Sequence, residues 1–411
     1  MSLIFLFKNS LLNVYFCGII YKIVLLGGIM KVTFYSNFLT HHQVPFCLEM
    51  QKRLGDDFKF VSTMKIFQWR LDLGFEDLDQ KYDFVVRAYE NEEEKEKAKK
   101  LALESDVVMI GSTTDELIEE RLKQDKLTFR YRARVFIFPD GFFNTVFDKK
   151  KMALFYNRHI KYRKNKNLHL LCANAYGAKD FNSLGLYKNK TYKWGYFLET
   201  NKYDIDKLIE EKENNEKIEI IWVARFIKWK HPEVVVKLAK RLKEQNYNFK
   251  IKMLGTGKLE EKTKQKIYQL NLDDVLEVVG QVPSDKVKDY MEKANIFIGT
   301  SDKNEGWGAV INESMNAACA IVANKKMGSV PFLIGDDNRG FMYEDYQDLE
   351  NKVKKLIDDK ELRKEFSKNA YDYITTKWTG ELAAENIIKM FNSVIEGEEV
   401  EVKDGPASRT N

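Results

Sequence analysis

From Met30 onward the chain alternates short apolar, β-branched runs with longer amphipathic ones, and it does so twice. Strands separated by helices in this way fold as α/β layers around parallel sheets. In the first series residues 31–35, 58–62, 83–87, 107–111, 168–173 and 190–194 read as strands. Residues 44–54 read as a helix with Pro45 in its first turn, and 90–105 as a charged helix with a solvated face. The polar stretch 204–217, with Asn214 and Asn215, reads as the border between two halves.

The second series places strands at 219–223, 249–254, 275–279, 296–299 and 320–323. Its clearest helix is 232–245, where Val235, Leu238, Ala239 and Leu242 recur at helical spacing. Helices are also expected at 258–270, at 284–294 with Ser284 as its cap, and at 349–358, 361–376 and 379–395. The polar tail 397–411 is expected to be disordered. At 411 residues, two domains are the natural division. Cys17, Cys47, Cys172 and Cys319 are far apart with no CxxC or Cys/His cluster, which points to a reducing compartment and no structural zinc.

The apolar leader 1–29 has two readings. It is a membrane anchor, with Lys22 standing awkwardly in its middle, or it is a wrong-start extension read in front of a true start at Met30. The net charge of +5 is uneven: residues 121–166 hold 14 Lys/Arg against 3 Asp/Glu, so the remainder is net acidic. Aromatics interleave with the cations of that block, at 129–134 and 158–164. The pattern suits an anionic membrane surface or a lipid-pyrophosphate acceptor, against the plain alternative of a cationic surface. No nucleic-acid module accompanies it.

Four motifs follow the strands of the second half in order. Arg225 and Lys230 stand five positions apart just after the 219–223 strand. In open α/β sheets ligands bind beyond the C-terminal strand ends, and two fixed cations there suit a diphosphate. Alone, the pair also reads as a solvated loop. Gly255 and Gly257 follow the next strand, and Gly280, Gln281 and Val282 the one after. Last comes Glu305-Gly-Trp-Gly-Ala-Val-Ile-Asn-Glu313: two carboxylates eight positions apart around two glycines, between a strand and a helix. Such a loop aims amides and a helix N-terminus at an anion, while carboxylates accept from sugar hydroxyls. Were the interval helical, both acids would face one cleft a little over two turns apart.

Taken together, residues 219–335 resemble the nucleotide-sugar-binding half of the retaining GT-B glycosyltransferases of family 4, of the bacterial envelope-polysaccharide type. Arg225, Lys230, Gly255, Gly257, Gly280, Glu305, Gly306, Gly308, Glu313, Gly328 and Pro331 carry the likeness. The resemblance implies two Rossmann-like domains facing across a cleft: 30–200 on the acceptor side, 201–377 holding the nucleotide sugar, and 378–396 a helix returning to the first domain. It implies that Arg225 and Lys230 bind the donor diphosphate, that Glu305 meets the sugar hydroxyls, and that Glu313 meets the ribose. Gly306, Trp307, Gly308 and Ala309 would line the sugar and phosphate, with Trp307 as an apolar wall. Gln281 and Val282 would lie near the base. The donor would be a UDP- or GDP-sugar and the acceptor a glycan or lipid-linked sugar, with no cofactor and no metal. The setting would be cytoplasmic, on the inner face of the plasma membrane.

The first half offers weaker candidates. His41 and His42 follow the first strand and are acceptor-side candidates that titrate near neutrality; His159 and His169 are alternatives. Many relatives carry a histidine after a later strand, where this chain has Ser112, Thr113 and Thr114. Asp77 and Asp79 match a metal-binding DxD pattern but lie in an acidic loop, and no metal is expected there. Two rival functions stand beside the transferase: a catalytically inactive nucleotide-sugar-binding partner of another transferase, and a GT-B-type sugar-nucleotide epimerase.

Overall fold

A computed structural model describes residues 30–72, 74–111, 115–132, 156–335, 338–400 and 402–410. The leader 1–29, Ser112–Thr114 and the middle of the basic block lie outside the described residues. Two parallel sheets organise the rest. The first has order β3-β2-β1-β4-β5-β6-β7, from β1 (Val32–Ser36), β2 (Phe58–Ser62), β3 (Val85–Arg87), β4 (Val107–Ile110), β5 (Thr128–Arg132), β6 (Leu168–Cys172) and β7 (Thr191–Lys193). The second has order β10-β9-β8-β11-β12-β13, from β8 (Ile218–Val223), β9 (Phe249–Leu254), β10 (Leu276–Gly280), β11 (Ile296–Gly299), β12 (Ala320–Asn324) and β13 (Phe341–Tyr343).

The two orders match strand for strand, except that the first sheet adds β7 at one edge. Val32 of β1 registers with Phe58 and Val107, and Ile220 of β8 with Ile251 and Ile296. Each first strand therefore sits at the point where strand order reverses, and a crevice opens beyond its C-terminal end. β1 reads VTFYS and is buried throughout, as a parallel strand covered on both faces must be. The Pro232–Glu244 helix buries Val235, Leu238, Ala239 and Leu242, the stripe its spacing predicts, with Pro232 in the first turn.

One hydrophobic cluster runs across both halves, beside clusters confined to each. Trp194 and Phe197 of the first half meet Phe46 at 5.1 and 6.1 Å, and Trp378 stacks on Phe197 at 6.1 Å. The Gly380–Glu396 helix lies on the Val44–Leu54 helix of the first half, so close that a Cβ on Gly380 would stand 2.5 Å from the Pro45 backbone.

The structure refines or corrects four expectations. First, the basic block is not all surface: its Phe129 and Arg130 lie in β5 and are fully buried. Arg121 is buried too, its guanidinium donating to the carbonyls of Ala102, Ser105, Asp106 and Leu127. Part of the local positive charge thus serves as internal backbone partners, which composition does not reveal. Second, the polar border holds a helix, Ile205–Glu213, capped by Asp204. Its Lys212 ammonium is buried and donates to the carbonyls of Met291, Ala294, Ala317 and Ala318, which end two other helices.

Third, the tail is ordered. Ala407 N donates to Lys193 O, Lys193 N to Ser408 O and Thr410 N to Thr191 O, so the tail pairs with the open edge of β7. Small residues, Ala407 and Ser408, become buried there without a hydrophobic run to announce it. Fourth, the Ser284–Met291 helix has Pro283 at its N-cap and no side-chain cap bond.

Candidate functional site

The loops leaving β8 and β11 meet at the switch point of the second sheet. Lys230 lies on a short turn, Lys228–Lys230, and its ammonium pairs with Glu305 Oε2. Both side chains are mostly buried, at 12% and 15% exposed, so each needs the other's charge. Thr300 fixes the spacing: Trp222 Nε1 donates to Thr300 Oγ1 at 2.7 Å, and that hydroxyl donates to the Lys230 carbonyl. Arg225 is exposed on the same loop, its guanidinium 5.5 Å from the centre of the Trp229 ring.

Two glycines press the β9 loop onto this one. Gly255 and Gly257 have φ of +124° and +150°. A Cβ on Gly255 would fall 2.1 Å from Ala224 O, and one on Gly257 2.6 Å from Phe226 O. They are required for close approach as well as for the turn. Gln281 is exposed and Val282 half-buried just beyond β10.

The segment from Glu305 to Glu313 is not two turns of helix. It is a loop through Gly308, at φ +87°, and the Val310–Asn316 helix begins only afterwards. Glu305 therefore sits beside Lys230, whereas Glu313 lines a separate cavity of about 180 Å³ with Ser284, Val287, Lys288, Thr200 and Asn201. The Glu313 carboxyl is open to water on the cavity side and crowded by protein elsewhere. Crowding raises its pKa to about 7.

Trp307 departs from its expected place as an apolar wall. It is 1% exposed, stacks on Trp378 at 5.6 Å, and donates through Nε1 to Asn312 Oδ1 at 2.9 Å. Gly195 of the first half lies against it; a Cβ there would stand 2.2 Å from the indole ring. Tryptophan here joins the halves. Gly306, the next residue back, gives its carbonyl to Asn174 Nδ2 at 2.9 Å, and Gly328 leaves no room for a Cβ over the same carbonyl. Ala309 stands half-buried at the N-cap of the following helix.

On the opposite side of the crevice, His42 stacks on Tyr196 with ring centres 4.3 Å apart and planes 4° from parallel. His41 packs 3.8 Å from His42 and stacks on Phe75 at 5.7 Å. Arg70 stands 5.3 Å from the Phe38 ring and 5.7 Å from Phe75. Burial, then the Arg70 charge, pushes the His41 pKa down to about 4, although one edge of its ring is exposed. Burial, then His41 and Arg70, holds His42 well below the usual histidine range. Neither histidine titrates near neutrality, contrary to expectation, because the aromatic cluster desolvates both. Tyr196 spans the crevice electrostatically: burial raises its pKa first, and the Glu305 charge adds to the rise.

His159 and His169 are packing residues. His169 faces the Tyr192 hydroxyl at 3.2 Å and His159 the Tyr187 hydroxyl at 2.9 Å, both buried. Asp79 is fully buried and accepts from Leu39 N and Ser62 Oγ, while Asp77 accepts from Asp79 N, so the DxD pair knits a loop together. Arg70, Asn174 and Tyr196 are the residues that sequence reasoning missed as site members. Tyr196 lies in a noticeable aromatic-glycine stretch; Arg70 and Asn174 carry no local signal. Among the described residues no helix is long and apolar enough to cross a membrane.

Comparison with known proteins places this geometry. Residues 204–373 match the family model for glycosyl transferases group 1. WcaL of Escherichia coli, a glycosyltransferase named for colanic acid biosynthesis, is 32% identical over 130 residues, covering 30% of this chain and 32% of WcaL. A Campylobacter jejuni enzyme, a 4-alpha-N-acetylgalactosaminyltransferase named for a diphospho-undecaprenol-linked substrate, is 30% identical over 155 residues, 37% of this chain and 40% of its own. The chain thus spans about a third of the length of the first relative and two fifths of the second. HepE of Anabaena, crystallised with UDP, superposes with a TM-score of 0.63 at 16% identity, covering 89% of this chain and all of HepE. The protein has the GT-B fold, and its second half is similar to group 1 glycosyltransferases and to relatives named for bacterial polysaccharide biosynthesis.

Proposed function

We propose that the protein is a retaining glycosyltransferase that moves a hexosyl unit from a nucleoside-diphosphate sugar to a hydroxyl of a glycan or lipid-linked sugar, in envelope or capsular polysaccharide synthesis. The observation that carries this reading is the Lys230–Glu305 pair held at the switch point of the second sheet. It keeps a cation and a carboxylate side by side in a crevice, ready to separate when a phosphate takes the ammonium and sugar hydroxyls take the carboxylate.

Arg225 completes the diphosphate clamp from its exposed place on the same loop. Glu313 accepts from the ribose hydroxyls in the cavity beside the Ser284–Met291 helix, and Gln281 and Val282 border the base. The sugar C1–oxygen bond to phosphate breaks, and the acceptor oxygen bonds to C1 on the same face. The acceptor proton passes to the departing phosphate oxygen, whose charge Arg225 and Lys230 stabilise. No metal or cofactor enters this scheme. His41, His42 and Tyr196 form the acceptor wall, as neutral rings that stack on sugar rather than as proton carriers. A lipid-linked acceptor would bring the protein to the inner face of the plasma membrane; the name of the Campylobacter relative and the cations at 158–166 support that setting.

The test is release of UDP or GDP from a panel of their hexose derivatives with undecaprenyl-diphosphate-linked sugars as acceptors, with the anomer of the product read by NMR. Turnover with retention, lost in Glu305→Ala, is the expected result. Binding of a nucleotide sugar without turnover on any acceptor would favour the inactive-partner reading instead.

A further inference from the structure

The loop bearing Lys230 and the loop bearing Glu305 are joined by more than their ion pair. His231, directly after Lys230, has left-handed backbone angles, φ 52° and ψ 54°, a conformation that favours glycine or asparagine over histidine. Its ring bridges two carboxylates: Nδ1 lies 2.8 Å from Glu233 Oε1, and Nε2 lies 3.2 Å from Asp302 Oδ2. Asp302 is itself fixed at several points. Its amide donates to Trp229 O at 3.0 Å, its other carboxylate oxygen accepts from Asn304 N at 2.7 Å, and its carbonyl accepts from Glu305 N at 3.0 Å. The chain of contacts therefore runs from Lys230 through His231 and Asp302 to Glu305. A side chain in a strained backbone position that joins its own helix to the β11 loop is an anchor placed at a cost to the backbone.

We infer that His231, in its doubly protonated form, latches the β8 loop to the β11 loop through Asp302 and so positions Lys230 against Glu305. This rests on the transferase reading for its consequence, though not for the latch itself. Both ring nitrogens face carboxylate oxygens, and only the imidazolium can donate to both. The charged groups facing the ring are Glu233 from its own helix and Asp302 from the β11 loop. Burial opposes protonation, but these two carboxylates outweigh it and leave the pKa above the ordinary histidine value. As pH rises through that raised pKa the proton leaves, one bridge must break, and the two loops loosen. His231 is a positioning residue; Lys230 and Glu305 remain the groups that would meet the donor.

Hydrogen–deuterium exchange of the full chain tests the latch without any ligand. Amides of 300–306 and 226–231 in the wild type should be protected at pH 6 and exchange about tenfold faster, after correction for intrinsic rates, at pH 9. His231→Gly, which suits the left-handed backbone, should be as thermally stable as the wild type or more so, yet show the fast exchange at both pH values. Asp302→Asn should behave alike. Equal protection in the wild type and His231→Gly at pH 6 would overturn the latch. A calorimetric titration with UDP and with GDP then separates the two ideas. If the wild type binds one of them, His231→Gly should bind it several-fold more weakly, and equal affinity would overturn the positioning role. If the wild type binds neither, the transferase reading fails, and exchange still decides the latch.

Discussion

β1 and β8 occupy the same place in their sheets, and their C-terminal loops face one crevice, yet the two loops carry opposite chemistry. The β8 loop holds cations: Arg225 exposed, Lys230 paired with Glu305. The β1 loop holds His41 and His42, stripped of charge by an aromatic surround. One crevice thus has a charged wall suited to a diphosphate and a neutral, stacked wall suited to a sugar face. A duplicated scaffold supplies two equivalent strand ends, and the side chains on each loop decide what it binds.

The charged wall breaks most easily. Lys230→Ala should cut turnover of a nucleotide sugar by about 10²–10³-fold, the usual loss when a preorganised group facing developing charge is removed. Circular dichroism should show the fold retained. A loss under about tenfold would mean that Lys230 does not face the leaving group.

Next comes the join between the walls. Gly195→Ala would drive a Cβ into Trp307, and overpacking of this kind costs about 1–3 kcal/mol. Urea unfolding should show that loss, and donor turnover should fall as well, because Trp307 lies in the loop that carries Glu305. An alanine tolerated without change would show that the halves meet more loosely than the Gly195–Trp307 contact implies.

The neutral wall gives the smallest effect. The histidine pKa values lie below the unfolded value of 6.5, so between the two the unfolded chain binds more protons. Their contribution to stability is full above pH 6.5 and is lost as pH falls toward about 4, the value for His41. From pH 7 to pH 5 the wild type should therefore lose a few degrees of thermal stability relative to His41→Phe/His42→Phe, while the opposite contributions of Glu313 and His231, whose pKa values are raised, are common to both. An identical acid response in that variant would place the titrating groups elsewhere.

The same contrast explains what the sequence disclosed. Arg225, Lys230, Gly255, Gly257 and Glu305 are legible because they lie in short loops directly after strands, where neighbours in sequence are neighbours in space. Trp307 was misjudged because its burial depends on Gly195 and Trp378, which sequence spacing does not connect to it. The histidine pKa values depend on Arg70, Phe75 and Tyr196, brought together only by folding. β5 was hidden because Arg130 and Arg132 interrupt its apolar pattern, although Arg130 is buried. The tail was hidden because backbone pairing to β7 holds it, while its apolar anchors, Val400, Val402 and Ala407, are scattered rather than periodic.

The loops of the second sheet should bind a nucleoside diphosphate independently of the neutral wall. Calorimetric titration of UDP and GDP into the wild type, Lys230→Ala and His42→Ala decides this. Saturable one-to-one binding of one nucleotide is expected, weakened about 10–100-fold in Lys230→Ala, as the loss of a charge-assisted hydrogen bond implies, and unchanged in His42→Ala. Binding of neither nucleotide, or equal affinity in Lys230→Ala and the wild type, would contradict it.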